Sequence, residues 1–320
     1  MTRLSRRYVL AGLGAASLCR PALAQGIALK IVYPYPAGGS GDAVARVIAD
    51  HLQKSLNRPV VVENRTGAGG RIGVQSVKDA AADGNTLLFT TSGPMTFVPH
   101  LIADPGYDPF ADFAPIAEVA TTEVALAVNA QLEARSLRQL AAWLAGNPDR
   151  ATYATPGVGT SAHFVGAEFG RAFGVGLRHV AYRGAPAAFP DVLSNRVPIL
   201  VALTGEMLAQ HKSGGVVVLA TAGASRSPFL PDVPTFRESG VDVEALNGLG
   251  FYAPARTAPE TVKRFEAEIL AAARIPAVKE RILSQGLYPA ASNATELARS
   301  QRAQFDKSGA AIKAAAFKPE

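Results

Sequence analysis

Residues 31–42, IVYPYPAGGSGD, constrain this chain more than any other stretch. A β-branched apolar run at Ile31 and Val32 ends at prolines and passes through Gly38, Gly39 and Gly41. It gives way to AVARVIADHLQKSL, in which Val44, Val47, Ile48, Leu52 and Leu56 recur at three- and four-residue spacing. That spacing predicts a helix with one buried face. Asp42 reads as its N-cap, because a carboxylate there accepts from the free amides of the first turn. Strand, glycine turn and helix N-terminus bring unpaired N–H groups and the positive end of the helix dipole to one point, which suits an anion.

The same unit recurs. A strand over 60–63, a glycine-rich loop over 64–73 and a helix over 74–81 lead to a strand over 86–91 and the turn Thr91-Ser92-Gly93-Pro94. The strands are continuously apolar, as in a parallel sheet covered on both faces, and ligands of such sheets sit at the carboxyl ends of strands. Residues 101–118, rich in Pro and Asp, read as a long surface connection, with a strand resuming over 118–128. A second unit follows: helix 137–144 carrying Trp143, strand 152–154, loop 155–161 and a helix through Phe173. After it come strand 177–182 ending at Arg183-Gly184, helix 186–193, strands 197–203 and 216–221, and closing helices over 260–273 and 295–315.

The first 24 residues read as a leader removed on export. Arg3, Arg6 and Arg7 precede an apolar run over 9–18 that is too short to span a bilayer, and Ala22-Leu23-Ala24 offers a cleavage site. Ser5-Arg6-Arg7-Tyr8-Val9-Leu10 resembles a twin-arginine signal; an ordinary secretory signal is the alternative. Leu18 before Cys19 is too bulky for a lipoprotein signal. The leader holds four arginines and no acid, so the 32 basic and 26 acidic residues of the chain become 28 and 26 after cleavage. A net +2 makes no case for nucleic-acid binding. The only cysteine leaves with the leader, which excludes disulfides from the exported chain.

Motifs for chemistry are sparse. No P-loop, H-E-x-x-H, G-x-S-x-G or C-x-x-C occurs, and the five histidines are scattered, so no catalytic residue, metal site or cofactor is expected. One loop permits another reading. Residues 157–162, GVGTSA, fit G-x-G-x-x-A between a strand and a helix, and Arg183 at the next strand's tip stands where a 2′-phosphate would lie. An exported NADP-binding oxidoreductase using Gly157 to Ala162 is therefore the alternative function. His163, one turn into the following helix, suits either the cleft or helix packing.

PYPAGGSGDAVAR, VVVENRTGAGGRIG, ADGNTLLFTTSG, GVGTSAHFVGAEF, VAYRGAPAAFPDVL, LPDVPTFRESG and FYAPARTAPETV, in that order, resemble the Bug-type solute-binding proteins, the periplasmic receptors of tripartite tricarboxylate transporters. The resemblance implies a two-lobed α/β periplasmic binding protein of the type II kind. Each lobe would be a mainly parallel sheet flanked by helices, with the ligand cleft between lobes crossed by two hinge strands. Residues 25–125 with 226–320 would form lobe one, and 126–225 lobe two. The implied function is capture of a small carboxylate in the periplasm by a monomer that delivers it to membrane permease subunits. By that resemblance Ala37, Gly38, Gly39, Ser40, Gly41 and Asp42 anchor the carboxylate, and Ser92 and Gly93 come from the second loop. Gly159, Thr160, Ser161 and His163 close from the other lobe, with Arg183 and Gly184 on the rim. Two departures bear on specificity. Ser194-Asn195-Arg196-Val197-Pro198 replaces a Gly-Gly-x-Val-Asp turn, losing both glycines and the acid, which makes an amino-acid ligand less expected, and Gly248 stands where the family often has Trp.

Overall fold

The structure, a computed structural model, describes residues 27–315; the expected leader, with Cys19 and the cleavage site at Ala24, lies outside the described residues. β1 (Leu29–Tyr33) runs between β2 (Val60–Asn64) and β3 (Thr86–Thr91), parallel to both. The expected first helix, α1 (Ser40–Ser55), buries Val44, Ala45, Ile48 and Leu52 against Leu29 and Ile31. Each such Ile or Leu contributes roughly 1.5–3 kcal/mol by leaving water. The helix after the 64–70 loop, α2 (Arg71–Lys78), covers the opposite face of β1 through Val74 and Val77, beside Val32. Two single-turn helices, α3 (Gly93–Thr96) and α4 (Val98–Leu101), follow β3.

The strand expected over 118–128 is longer. β4 (Phe113–Asn129) is one uninterrupted element of 17 residues with different partners along its length. Residues 113–123 pair antiparallel with β9 (Leu246–Pro254), whose other edge pairs antiparallel with β3. Residues 124–129 pair antiparallel with β7 (Ile199–Leu203) and β8 (Val216–Thr221). Beyond β7 lie β5 (Thr152–Thr155) and β6 (Arg178–Ala181), all three parallel. β10 (Tyr288–Ser292) borders the first part of β4. One core gathers Leu29, Ile48, Phe89 and Phe251, and another Leu126, Tyr153, Phe169 and Ile199. The molecule is thus a two-lobed α/β fold joined through β4.

Strand directions follow from these pairings. β9 opposes both β3 and β4, so β3 points the same way as β4, toward the second lobe. β7 opposes β4 and, with β5, points back toward the first. The carboxyl ends of β1, β3, β5 and β7 therefore face one another across the junction, and each leads into a helix. These are α1, α3, α6 (Ser161–Phe173) after β5, and α8 (Thr204–Lys212) after β7.

Residues 230–245, expected with lobe one, pack elsewhere. Leu230 and Val233 join Ala125, Met207 and Val216, while Phe236, Val241 and Val243 join Leu126 and Leu219. The chain returns to the first lobe only at β9. Helix α5 (Leu137–Gly146) and α7 (Ala185–Leu193) cover the second lobe, while α9 (Pro259–Arg274) and α10 (Pro276–Ser284) cover the first. The last helix, α11 (Ala294–Ala314), touches both: Leu297 packs with Val32 and Tyr252, and Ile312 with the second-lobe core.

Candidate functional site

The three glycine loops meet where the strand ends converge. The lobes touch through glycines that leave no room for a side chain. A Cβ on Gly157 would lie 2.7 Å from the Gly69 Cα, and one on Gly69, at φ 65°, would run into the Val158 carbonyl. Gly184 lies equally close to Pro36, where a Cβ would stand 2.5 Å from the ring. These contacts bring the lobes together around a tight cavity of about 30 Å3, room for one or two waters, so a ligand fits as the lobes part.

Tyr33, Tyr35, Thr91 and Gly93 wall the cavity from the first lobe. Pro156, the first turn of α6 (Thr160, Ser161, Ala162), Gly184, Leu203 and Glu206 wall it from the second, and Asn247 of β9 completes it. Several polar groups are occupied. Tyr35 Oη and Thr91 Oγ1 share a hydrogen bond of 3.0 Å, and Ser161 Oγ donates to Asn247 Oδ1 across the lobes at 3.1 Å. Thr160 caps α6 by accepting from the His163 N–H and donates to the Gly157 carbonyl. Others are not. Asn247 Nδ2 and Glu206 Oε2 are buried with no hydrogen-bond partner in the protein, as is Ser40 Oγ in α1's first turn. Buried polar groups are nearly always paired, so such a cluster at one cavity marks a place where something binds.

Charge is arranged unusually here. No Lys, Arg or His lines the cavity among the described residues. Its positive features are helix N-termini and the Asn247 amide. The one ionisable acid is Glu206, at the third position of α8, whose pKa burial pushes up to about 7 against a hydrogen bond from the Leu203 N–H. Burial likewise pushes Tyr35 to about 12 and Tyr33 well above its ordinary value.

The first loop stands beside this cavity rather than on its wall. Ala37 and Gly38 are exposed, whereas Ser40, Gly41 and Asp42 are buried. Gly39 faces Glu206, with Oε1 3.5 Å from where a Cβ would be. Gly41 is required because a Cβ would strike the Tyr33 hydroxyl. The expected N-cap role of Asp42 is corrected: Gly39 is the N-cap, and Asp42 lies inside the first turn. Its carboxylate reaches back past the N-cap to the Gly38 N–H at 3.0 Å, and accepts from Arg46 at 2.9 and 3.1 Å and from Asn64 at 2.9 Å. Burial alone would raise its pKa; these bonds outweigh that and hold it below the usual carboxylate value. Asp42 braces the loop.

Gly93, Thr160, Ser161 and Gly184 of the expected residues line the cavity. Ser92 lies beneath it, bound to the Gly248 backbone through both its N–H and Oγ. Gly159 packs on Ile102 and Val98, and Arg183 sits exposed at the mouth of a neighbouring crevice with Gly67 and Gly70. His163 is turned into the second lobe, stacked on His179 at 3.9 Å and accepting from the Gly159 N–H at 3.3 Å. Burial, then the neighbouring His179, pushes its pKa down to about 3. The Gly157–Ala162 loop has the strand–loop–helix setting of a dinucleotide fingerprint, but Gly69 covers it. The altered turn over 194–198 is at the opposite end of β7 from the cavity, so it does not shape the ligand space. Gly248 is backed by the Glu118 carboxyl, which a Cβ there would strike.

Sequence reading missed Glu206 and Asn247. A larger hollow of about 430 Å3 lies between α6, α11 and residues 237–246. It meets β9 at that strand's amino end, Leu246, and its Glu168, Asp242 and Glu244 carboxylates pair with Arg171, Arg237 and Lys307.

Residues 44–317 match the model of the tripartite tricarboxylate transporter family receptor, TctC. The chain belongs to this family. It is 33% identical to protein BugT of Bordetella pertussis over 263 residues, covering 82% of this chain and 81% of BugT. Among solved structures, periplasmic binding protein BugD superposes with a TM-score of 0.86 at 30% identity over 92% of this chain and 99% of BugD. MatC from Rhodopseudomonas palustris with bound malate gives 0.84 at 26% identity, covering 89% and 98%. An R. palustris protein with adipate gives 0.86 at 26%, covering 91% and 98%. As a Bug-type TctC protein, this chain is a solute receptor of the periplasmic binding protein fold.

Proposed function

We propose that this receptor captures a small carboxylate in the periplasm, in the cavity between its lobes, and hands it to the permease subunits of a tripartite tricarboxylate transporter. The observation that carries the reading is the unpartnered Asn247 Nδ2 beside the first turn of α6 in an otherwise closed cavity. A carboxylate there accepts from Asn247 and from the free amides of Ser161 and Ala162 without any basic side chain. Each charge-assisted bond contributes roughly 1.5–3 kcal/mol, so three approach the ~8 kcal/mol of micromolar binding once closure offsets the ordering cost.

In this reading Gly93, Thr160, Ser161 and Gly184 are ligand-proximal. The loop of Ala37 to Asp42 supports the wall through Gly39, and Ser92, Gly159, His163 and Arg183 hold the frame and rim. Lobe one comprises residues up to about 123 with 246 onward, lobe two the residues between, and closure turns on β4 and on the passage into β9. Cleavage near Ala24, action as a monomer and the absence of turnover belong to the same proposal.

Thermal-shift assay of the chain from Gln25 against carboxylic acids, with NAD and NADP included, tests it. A ligand at a hundred times its dissociation constant adds about 2.7 kcal/mol, a shift of a few degrees. Asn247→Ala is expected to weaken binding of the responding acid about tenfold or more. Stabilisation by NADP alone overturns the receptor reading in favour of the dinucleotide loop.

A further inference from the structure

The loop from Pro156 to Thr160 belongs to the second lobe, but its tip is seated on the first. Val158 packs on the first-lobe core that contains Val98 and Ile102, and Gly159 rests on the same two residues. Gly157 lies against Gly69. Two of the three residues at this tip therefore have no side chain with which to fix their own shape, and glycine loses more freedom on ordering than any other residue. Their backbone groups are held from behind instead. The Gly159 N–H donates to His163 Nδ1 at 3.3 Å. The Gly157 N–H donates to Thr155 Oγ1 at 3.2 Å, and that hydroxyl is bonded in turn to His179 Nε2 at 2.6 Å. The two imidazoles lie face to face, 3.9 Å apart and 13° from parallel. Tyr153 stands beside them and donates to the His163 carbonyl at 3.2 Å.

One loop is thus gripped at two points by two rings that support each other. Accepting the Gly159 N–H requires that His163 Nδ1 carry no proton, and a charge on either ring would repel one on the other. Burial, reinforced at His163 by the neighbouring His179, pushes the pKa values down to about 3 and about 4, so both rings are uncharged at neutral pH. Neither ring lines the cavity. Resting on the receptor reading above, we infer that His163 and His179 are positioning residues of ligand capture: their stack holds the Pro156–Thr160 loop ready in the shape that docks on the first lobe. A loop ordered in advance takes its ordering cost out of binding. It also leads directly into Ser161, so its shape sets where the first turn of α6 meets the ligand.

The test is calorimetric titration of the exported chain and four variants. The probe is whichever of malate, adipate, citrate, benzoate, nicotinate and glutamate binds the native chain most tightly. His163→Phe keeps a ring against His179 but loses the acceptor, and is expected to weaken binding about tenfold or more. His163→Asn loses the ring but places Oδ1 about where Nδ1 stood, and should bind within about threefold of native. His179→Leu and His179→Gln should divide in the same way, since the Gln amide reaches the Thr155 hydroxyl. Thermal melts of the unliganded proteins give the stability of each. The two positions report separately, so a variant that does not fold leaves the other pair to decide. Affinity that follows melting temperature rather than the bond each variant keeps overturns this inference and leaves the receptor reading standing. Native affinity in both His163→Phe and His179→Leu does the same. No binding of any of the six acids by the native chain overturns both.

Discussion

Two buried glutamates behave alike and give the residue scale its clearest pH signature. Glu118 on β4 is buried against Gly248, and burial moves its pKa from 4.5 to about 7. Between those values the folded state holds a proton that the unfolded chain releases. Stability from this group is therefore fully present below about pH 4.5 and declines as pH rises toward 7. Glu118→Gln is expected to stabilise by up to about 3 kcal/mol at pH 8 and by almost nothing at pH 4. Paired denaturant titrations of the two proteins at both pH values check this. The stacked His163 and His179 act with opposite sign, their pKa values lowered to about 3 and about 4 chiefly by burial. Their contribution is lost as pH falls below 6.5 and toward those values, and the comparison of Glu118→Gln with the native chain at one pH cancels it.

At the scale of elements, the strand–turn–helix unit over 31–56 was readable because three signals agree there: β-branched residues, glycines and helical periodicity. The three loops at strand ends were readable for the same reason. β9 was not. Gly248 and Gly250 interrupt its apolar run, and its place is decided by pairing with β3 and β4, far away in sequence. Asn247, and Glu206 in TGEMLAQHK, fall in stretches with no motif to single them out. The one usable signal was an acid at the third position after an apolar strand, at the edge where the glycine loops also open. Asp42 misled in the other direction, since its residue type suits an N-cap but the extra glycine moved the helix start to Gly39. Asp42→Asn keeps the shape and removes the charge that Arg46 and Gly38 satisfy. It should cost about 1–3 kcal/mol in urea unfolding, with ligand affinity falling less than in Asn247→Ala.

For the whole molecule, closure depends on glycines at the nearest approach of the lobes, above all Gly157 against Gly69. Gly157 has no positive φ to defend, so a side chain there acts by bulk alone, against the Gly69 backbone. Gly157→Val is expected to leave thermal stability of the unliganded protein within about 1 kcal/mol of native. It should weaken ligand binding about tenfold or more, because the closed form becomes inaccessible. Small-angle scattering should then show no contraction on adding ligand to the variant, where the native chain contracts.

The shared strand β4 also sets an order of assembly. Its second-lobe partner β7 follows within the same stretch of chain, pairing Val124 with Leu203, whereas its first-lobe partner β9 pairs Glu123 with Leu246 and emerges much later. Contacts between distant segments wait longest for loop closure. The second lobe therefore has all its strands while the first still lacks the one that joins β3 to β4. The amino-terminal half of the chain, though made first, is finished last, on a template supplied by the lobe it will later close upon.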